Sequence, residues 1–442
     1  MTTLCHKCLR AHKTATMLNR VKQLLPLLQQ QRYASSWKRR VLKQERLKEV
    51  VYQYASKNTR RTDRVYVWGN SITGALGVKN FLKPAKHKQV RGYQFIPYRL
   101  DYLEANRIKP RSICCGFGYT LYLTHHDHRD KLYGCGLNTD SQLGYQEYPQ
   151  NSGQLRDYLI EPVPVQLPLL TPDTTRILQV ACGRAHTWIV TDQEGVFTLG
   201  NNSYGQCGRT IIKDEIYRAS QTVNRILFDK NMKQICCGQD HTLVLTDNGE
   251  VYSCGLGTEG QTGVGHHNPV DRLTKVIGDI EGENIVSLAS RVDTVLAVSD
   301  KGELFGWGSS EFGQLSSAAS DKTHVNVSRY LPFKHLGKVI KTAAAASMCA
   351  VLNDRGDVFV WGFGILGKGP MMDQCAVPEM ISRTLFGRNE LNPEQRVIDL
   401  HAGGGHFAAV TAYSQQQVEV PAEVQQVTCG IDHTVVLCKS FA

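Results

Sequence analysis

One internal repeat constrains the fold of this 442-residue chain more than any other feature. A short alternating strand ends in glycine and is followed by a glycine-containing turn, in six copies. The glycines that end these strands are Gly69, Gly136, Gly200, Gly255, Gly308 and Gly362, with spacings of 67, 64, 55, 53 and 54 residues. A period of about 54 residues is typical of proteins in which each repeat is one small packed unit.

A second pattern accompanies the first and has seven copies: small-Gly-x-x-His before an apolar run, as in CGQDHTLVLT from Cys237. The position of the histidine in these copies holds Tyr119, His186, His241, Thr294, Met348, His406 and His433. A residue that recurs at one place in each repeat favours a structural role, so we predict buried imidazoles that bond to the backbone of a neighbouring repeat.

Each repeat has room for about four short strands with period-two alternation, and none contains an amphipathic helix long enough for a βαβ unit. Four strands in each of seven repeats predict an all-β fold, a seven-bladed β-propeller over residues 65–442. The chain opens on an outer-type strand at residues 65–69 and closes on inner-type strands at residues 427–437. We therefore expect the two ends of the chain to complete one blade together.

The seventh repeat is too short for a whole blade. His406 and His433 are only 27 residues apart, and residues 412–426 stand where the aromatic strand and its turn are expected. We predict a seventh blade truncated to about two strands, with an exposed edge and lowered stability.

Several segments resemble the regulator of chromosome condensation family, and the resemblance covers nearly all of residues 65–442. The segments NNSYGQCGR, CGQDHTL, GFGILGKGP and VPEMI, which begin at Asn201, Cys237, Gly362 and Val377, are similar more narrowly to the mitochondrial branch of that family. The family's best-understood activity, guanine-nucleotide exchange on a small GTPase, needs no covalent chemistry. The resemblance implies that the matching positions contact the GTPase: Asp240, His241, Asp432 and His433, and more weakly His186 and His406.

The mitochondrial branch implies two different functions. The first is nucleotide exchange on a dynamin-like GTPase of inner-membrane fusion. The alternative is an interaction scaffold for assembly of the mitochondrial large ribosomal subunit, with ribosomal RNA and pseudouridine synthases as partners. For the scaffold, the basic residues Lys79, Lys83, Lys86, Lys88 and Arg91 are the candidate RNA contacts, although a solvated loop is the more usual meaning of such a cluster.

Charge is distributed unevenly along the chain. Residues 1–64 hold 16 Lys and Arg against 3 Asp and Glu, whereas residues 65–442 hold 35 against 37. The near-neutral body gives no bulk electrostatic argument for nucleic-acid binding. No apolar run reaches the roughly 18 residues of a spanning helix, so we expect at most a peripheral attachment to a membrane.

The N-terminal arm has the composition of a mitochondrial transit peptide, since the first acidic residue is Glu45 and ten Lys and Arg precede it. We predict a transit peptide at residues 1–34, a basic helical linker at 35–64, and a location in the matrix or on the inner membrane. A basic tail that binds RNA or a membrane surface is the alternative.

Three motifs resemble cofactor or metal sites, but the sequence around each of them argues against such a site. Gly255-x-Gly257-x-x-Gly260 and Gly362-x-Gly364-x-x-Gly367 match a dinucleotide fingerprint, but both lie at the strand-to-turn position of the repeat and neither opens a helix. The Cys5-His6-Lys7-Cys8 segment lacks a second pair of ligands at zinc spacing. We predict no cofactor, no metal site and no catalytic triad.

Overall fold

The structure, a computed structural model, describes residues 63–85, 89–126, 129–148, 151–315, 323–369, 372–412 and 422–440. The predicted transit peptide, nearly all of the predicted linker and the Cys5–Cys8 segment lie outside these ranges. The first strand begins at Asp63, within the last two residues assigned to the linker. Among the described residues, no helix is long and apolar enough to cross a membrane.

The all-β propeller predicted from the sequence is present, with six blades of four antiparallel strands among the described residues. Along the chain come first β1 (Asp63–Asn70) and β2 (Tyr93–Arg99). Blade 1 contains β3 (Pro110–Cys115), β4 (Tyr119–His126), β5 (Arg129–Leu137) and β8 (Tyr158–Val165), with a ribbon of β6 (Glu147–Tyr148) and β7 (Asn151–Leu155) inserted before the last strand.

Blades 2 to 5 follow the same order without an inserted ribbon. Blade 2 contains β9 (Ile177–Cys182), β10 (His186–Thr191), β11 (Val196–Gly200) and β12 (Asn224–Ile226). Blade 3 contains β13 (Met232–Cys237), β14 (His241–Thr246), β15 (Val251–Gly255) and β16 (Val270–Lys275). Blade 4 contains β17 (Ile285–Ser290), β18 (Thr294–Ser299), β19 (Leu304–Ser309) and β20 (His324–Tyr330). Blade 5 contains β21 (Val339–Ala344), β22 (Met348–Asn353), β23 (Val358–Phe363) and β24 (Gln374–Met380).

A two-stranded sheet follows blade 5. It contains β25 (Val397–Ala402) and β26 (Phe407–Thr411), and it contacts blade 5 on one side and blade 6 on the other. Its second strand is only partly covered, whereas β10, β14, β18 and β22, which occupy the same place in blades 2 to 5, are buried at every residue. The repeats in the sequence predict seven blades; the described residues hold six four-stranded blades and this two-stranded sheet, called here the short sheet.

Blade 6 joins the two ends of the chain, as the sequence analysis predicted. It contains β27 (Ala422–Cys429) and β28 (His433–Ser440) followed by β1 and β2. β1 and β28 are antiparallel over seven residue pairs, from Asp63 with Lys439 to Gly69 with His433. Val67 and Val435 are fully buried in the same apolar cluster, so the closure has a packed core as well as a hydrogen-bond ladder.

Helical structure is confined to short connections in the described ranges. α1 (Lys79–Leu82) and α2 (Asp101–Ala105) flank β2, and two 3₁₀ turns lie at Lys334–Leu336 and Arg383–Phe386. α1 and α2 each bury one apolar residue, Phe81 and Leu103, in the cluster that holds Val67.

Side-chain amides on the innermost strands join neighbouring blades. Gln426 of β27 accepts from the backbone N–H of Ile113 at 2.9 Å and donates to its carbonyl oxygen at 2.9 Å, which joins blade 6 to blade 1. Gln234 of β13 makes the same two bonds to Leu288 of blade 4, at 3.1 and 2.9 Å. Because backbone groups of an innermost strand have no further strand to pair with on the inner side, these amides satisfy them.

Replacing Gln426 tests the seam between the two ends of the chain. In Gln426→Ala, both backbone groups of Ile113 lose their partner, and we expect the free energy of unfolding to fall by about 2 kcal/mol. Denaturant titration of the variant gives this value. Gln193→Ala, at an exposed turn between β10 and β11, is the control, and an equal loss in both variants would contradict the assigned role.

Candidate functional site

The recurring histidines join neighbouring blades through hydroxyl groups. Each imidazole Nε2 lies within hydrogen-bond distance of a hydroxyl on the next blade: His186 of Thr242 (3.0 Å), His241 of Ser290 (3.1 Å), His406 of Thr434 (2.8 Å) and His433 of Thr120 (2.9 Å). Tyr119, at the same position in blade 1, donates to the carbonyl oxygen of His186 at 2.6 Å. The structure thus holds these imidazoles between blades, and the hydrogen-bond partners of their Nε2 atoms are side-chain hydroxyls.

The hydroxyl partner of His186 fixes the tautomer of its ring. The Thr242 hydroxyl donates to the carbonyl oxygen of Gln206 at 2.9 Å, so it accepts the proton of His186 Nε2. The Nδ1 atoms of His186 and His241 have no partner among the described residues. Burial lowers the pKa of His186, His241 and His433 to about 3, so these imidazoles are neutral at physiological pH.

A glycine lies three residues before each ring for a steric reason. A Cβ at Gly238 would lie 2.0 Å from Cε1 of His241, and one at Gly183 would lie 2.1 Å from Cε1 of His186. The ring therefore occupies the space that a side chain would need. In blade 4 and blade 5 the ring is replaced by Thr294 and Met348, and there the glycine is replaced as well, by Arg291 and Ala345.

Arg291 uses that freedom to extend away from its own blade. Its guanidinium donates to the carbonyl oxygens of Cys115 at 3.0 Å and Ala402 at 3.4 Å, and also to that of Cys429. These three carbonyls belong to blade 1, the short sheet and blade 6. Arg291 thus connects blade 4 directly to three sheets that are not its neighbours along the chain.

The candidate functional surface is the end of the propeller where each first strand turns into the second, called here the upper face. Asp240 lies there at the turn between β13 and β14, with its side chain only 3% exposed. Arg184 of blade 2 clamps it through two bonds, Nε to Oδ1 at 3.0 Å and Nη2 to Oδ2 at 2.7 Å. Burial raises the pKa of Asp240, and the Arg184 guanidinium opposes part of this rise. Arg184 itself is 45% exposed, so a charged group remains at the surface.

Two further acidic residues share the position of Asp240 in their repeats. Asp432 is exposed at the turn between β27 and β28. Asp293 precedes β18, accepts from Gln261 Nε2 at 3.0 Å, and has its pKa raised to about 6 by burial. Asp293 is not among the residues predicted from the sequence, because its repeat lacks both the glycine and the histidine of the pattern; the strand that follows it is the signal that aligns it with Asp240.

A cavity of about 410 Å³ opens on the upper face beside Arg184. Its walls come from three blades: Thr73 and Ile431 of blade 6, Phe117 and Asp140 of blade 1, and Arg184 and Asn201 of blade 2. Asn201 Nδ2 donates to Asp140 Oδ1 at 2.9 Å. The cavity thus combines apolar side chains with one basic and one acidic group, a combination suited to a protein side chain and its flanking backbone.

The structure separates the predicted GTPase contacts into two groups. His186, His241 and His433 are buried between blades, with exposures of 0%, 0% and 1%, and His406 is half-buried. Asp240 is covered by Arg184, and Asp432 is exposed. Arg184 and Asp140 complete this surface, but they could not be predicted from the sequence, because a single charged residue in a turn has no pattern.

The predicted RNA contacts lie around α1 and β2. Lys79 pairs with Glu161 at 3.1 Å, Lys83 is exposed, and Arg91 lies over the Phe81 ring at 4.8 Å and donates to Gln94. Lys86 and Lys88 lie outside the described residues. In the ranges that the structure describes, no group of three or more His, Cys, Asp or Glu side chains is arranged to hold a metal ion.

Comparison with known proteins identifies the relatives of the chain. Models of the regulator of chromosome condensation (RCC1) repeat match residues 129–190, 193–245 and 232–261. The RCC1-like G exchanging factor-like protein of Homo sapiens is 47% identical over 422 residues, which covers 88% of this chain and 90% of that protein, and the Mus musculus protein is 46% identical over the same shares.

Solved structures agree with these relatives. The crystal structure of human WBSCR16 is similar with a TM-score of 0.76 and 47% identity, covering 85% of this chain and 100% of that chain. Prp20p from Saccharomyces cerevisiae, at 17% identity, shares the fold with a TM-score of 0.52 over 87% of this chain and 93% of its own.

The steric contact between Gly238 and the His241 ring predicts that a larger residue at position 238 lowers the stability of the protein. In Gly238→Ala the new Cβ displaces the His241 ring from Ser290, and we expect a loss of about 3 kcal/mol in the free energy of unfolding. Gly405→Ala is the control, because a Cβ at Gly405 meets nothing within 4 Å. A comparable loss in both variants, measured by denaturant titration, would refute the steric explanation.

Because the buried imidazoles are neutral, we expect the free energy of unfolding to depend on pH. Unfolding returns their pKa from about 3 to about 6.5, so the stability that they contribute is present above pH 6.5 and is lost as the pH falls towards 3. Each contributes a slope of about 1.4 kcal/mol per pH unit inside this window. In His433→Tyr, which copies Tyr119, proton uptake on unfolding between pH 5 and 4 should fall by about one proton. Exposed His267→Tyr should leave it unchanged.

Proposed function

Because this chain belongs to the family of RCC1-like G exchanging factor-like proteins, we propose that it is a guanine-nucleotide exchange factor for a dynamin-like GTPase of mitochondrial inner-membrane fusion. The observation that carries the proposal is the 47% identity over 90% of a relative named as an exchange-factor-like protein. Exchange proceeds without covalent chemistry, since it only requires that the factor bind the nucleotide-free GTPase more tightly than the GDP-bound one.

The upper face supports this function chemically. An exchange factor must weaken the hold of a GTPase on phosphate and magnesium, and a carboxylate that competes for the phosphate-loop lysine or for the magnesium ion does so. Asp240 supplies such a carboxylate, held in place by Arg184. In this proposal a cation of the GTPase replaces Arg184 as the partner of Asp240, while Asp432 and Asp140 add negative charge around the contact.

Two further observations bear on where the protein works. The acid-free basic arm before Glu45 supports import into mitochondria. The near-neutral body supports binding by specific contacts more than by bulk charge. We propose that the protein lies in the mitochondrial matrix or is attached peripherally to the inner membrane.

We also propose that the short sheet is a seventh blade reduced to its two inner strands. Its strands occupy the place of the first two strands of a blade, between blade 5 and blade 6. The spacing of 27 residues between His406 and His433, against 53 to 67 in the other repeats, supports a blade of about half the usual length.

The alternative function, a scaffold for assembly of the mitochondrial large ribosomal subunit with ribosomal RNA and pseudouridine synthases, receives less support. Its candidate RNA contacts include Lys79, which is paired with Glu161, and Arg91, which is packed on Phe81. RNA binding by this cluster would show as affinity that falls steeply with salt.

Asp240→Asn tests the exchange mechanism. The substitution keeps the size of the side chain and removes its charge, and we expect release of fluorescent GDP from the purified dynamin-like GTPase to slow by about tenfold or more, with the loss of a charge-assisted contact. Asp247→Asn is the matched control, because Asp247 is an exposed carboxylate at the opposite end of β14 in the same blade. Equal release rates with the two folded variants would remove Asp240 from the mechanism, and no acceleration by the unaltered protein would refute the exchange function.

A further inference from the structure

Two cysteines on neighbouring innermost strands lie in direct contact. Cys114 is the next-to-last residue of β3 in blade 1, and Cys182 is the last residue of β9 in blade 2. Cys182 belongs to a buried cluster against which Cys114 packs. The Cys182 thiol lies close enough to the Cys114 sulfur to lower the pKa of Cys114. Both thiols are free.

The backbone around the pair holds the two strands together. Immediately beyond the cysteines, the N–H of Phe117 in blade 1 donates to the carbonyl oxygen of Gly183 in blade 2 at 3.1 Å. Two residues further, Tyr119 donates to the carbonyl oxygen of His186 at 2.6 Å. The thiols therefore remain close without any rearrangement of the blades, which is the requirement for disulfide formation.

Cys114 also has the surroundings of a reactive thiol. It is partly exposed, whereas Cys182 is buried. The hydrogen bond from the Cys182 thiol, with a smaller contribution from the guanidinium of Arg291, lowers the pKa of Cys114 although burial opposes the change. Burial raises the pKa of Cys115 and Cys237, which are adjacent in sequence or in register. Thiolate character and exposure together select the cysteine that oxidants attack first.

We propose that Cys114 and Cys182 form a reversible disulfide when the protein meets hydrogen peroxide. The Cys114 thiolate attacks one peroxide oxygen, the O–O bond breaks, and hydroxide leaves, which gives a sulfenic acid on Cys114. Cys182, deprotonated, then attacks that sulfur, the S–O bond breaks, and water leaves after taking up the proton. Two thiols lose two electrons in total, and one peroxide is reduced to two waters. A thiol reductant reverses the change by exchange.

The disulfide would act on the upper face, a consequence that rests on the proposed function. Arg184, the clamp on Asp240, is two residues after Cys182, and Phe117 of the 410 Å³ cavity is three residues after Cys114. A covalent bond at this point fixes the two turns relative to each other. We expect the oxidised protein to accelerate GDP release less than the reduced protein does.

The chain contains its own matched control for the chemistry. Cys236 of β13 has the register of Cys114, and its sulfur accepts from the backbone N–H of Ser290 at 3.1 Å. Ser290 has the register of Cys182, so this junction has the same geometry with one thiol only. Cys236→Ser should leave oxidation unchanged, and Ser290→Cys should create a second cross-linkable pair between blades 3 and 4.

The experiment treats the full chain with hydrogen peroxide at low micromolar protein concentration, alkylates remaining thiols, and identifies linked peptides by mass spectrometry before and after dithiothreitol. We expect a Cys114–Cys182 link that dithiothreitol removes, that is retained in Cys236→Ser, and that is lost in Cys182→Ser, a change that copies Ser290. A cross-link only at the engineered 236–290 junction, or peroxide products on Cys114 with no link to Cys182, would overturn the proposal. The link is scored independently of GDP release, so failure of exchange activity leaves this test intact.

Discussion

The contact between a ring and the glycine beneath it is the constraint on which the propeller depends. Each imidazole or phenol replaces the missing side chain of a glycine three residues earlier and reaches a group on the next blade. One contact therefore sets the shape of the first turn, the tautomer of the ring and the spacing between blades. At the junctions of His186 and His433, the hydroxyl that accepts the imidazole proton also donates to a turn carbonyl, so four polar groups are satisfied in a dry environment.

The same constraint separates structural from functional residues on the upper face. The histidines cannot both hold adjacent blades and meet a partner, since reaching solvent would leave the hydroxyl of the next blade unpaired. The residue just before this position does not bond to that hydroxyl. Asp240, Asp293 and Asp432 occur there. When the charge of the residue at this position differs from repeat to repeat while the backbone stays the same, the repeat protein acquires a specific binding surface.

The sequence predicted those features that repeat and missed those that occur once. The β-propeller and the closure of blade 6 by the two ends of the chain could be predicted because the period, the alternation and the type of strand recur in several repeats. The pairing of Arg184 with Asp240 joins residues 56 positions apart and occurs at one junction, and the contact of Cys114 with Cys182 depends on the same side-by-side packing of innermost strands. The shortage of residues after His406 was visible in the sequence, but whether the remainder counts as a blade depends on packing that spacing does not specify.

Arg291 changes how the ring should respond to damage. In most repeat proteins each unit touches only its neighbours, and stability is close to a sum of local and nearest-neighbour terms. Here one side chain of blade 4 bonds blade 1, the short sheet and blade 6 across the ring. A direct bond between distant units removes the one-dimensional character of the array, so partial unfolding that begins at the short sheet cannot spread along the ring without also breaking a contact with blade 4. We therefore expect the propeller to unfold more nearly as one cooperative unit, although the second strand of the short sheet is only partly covered.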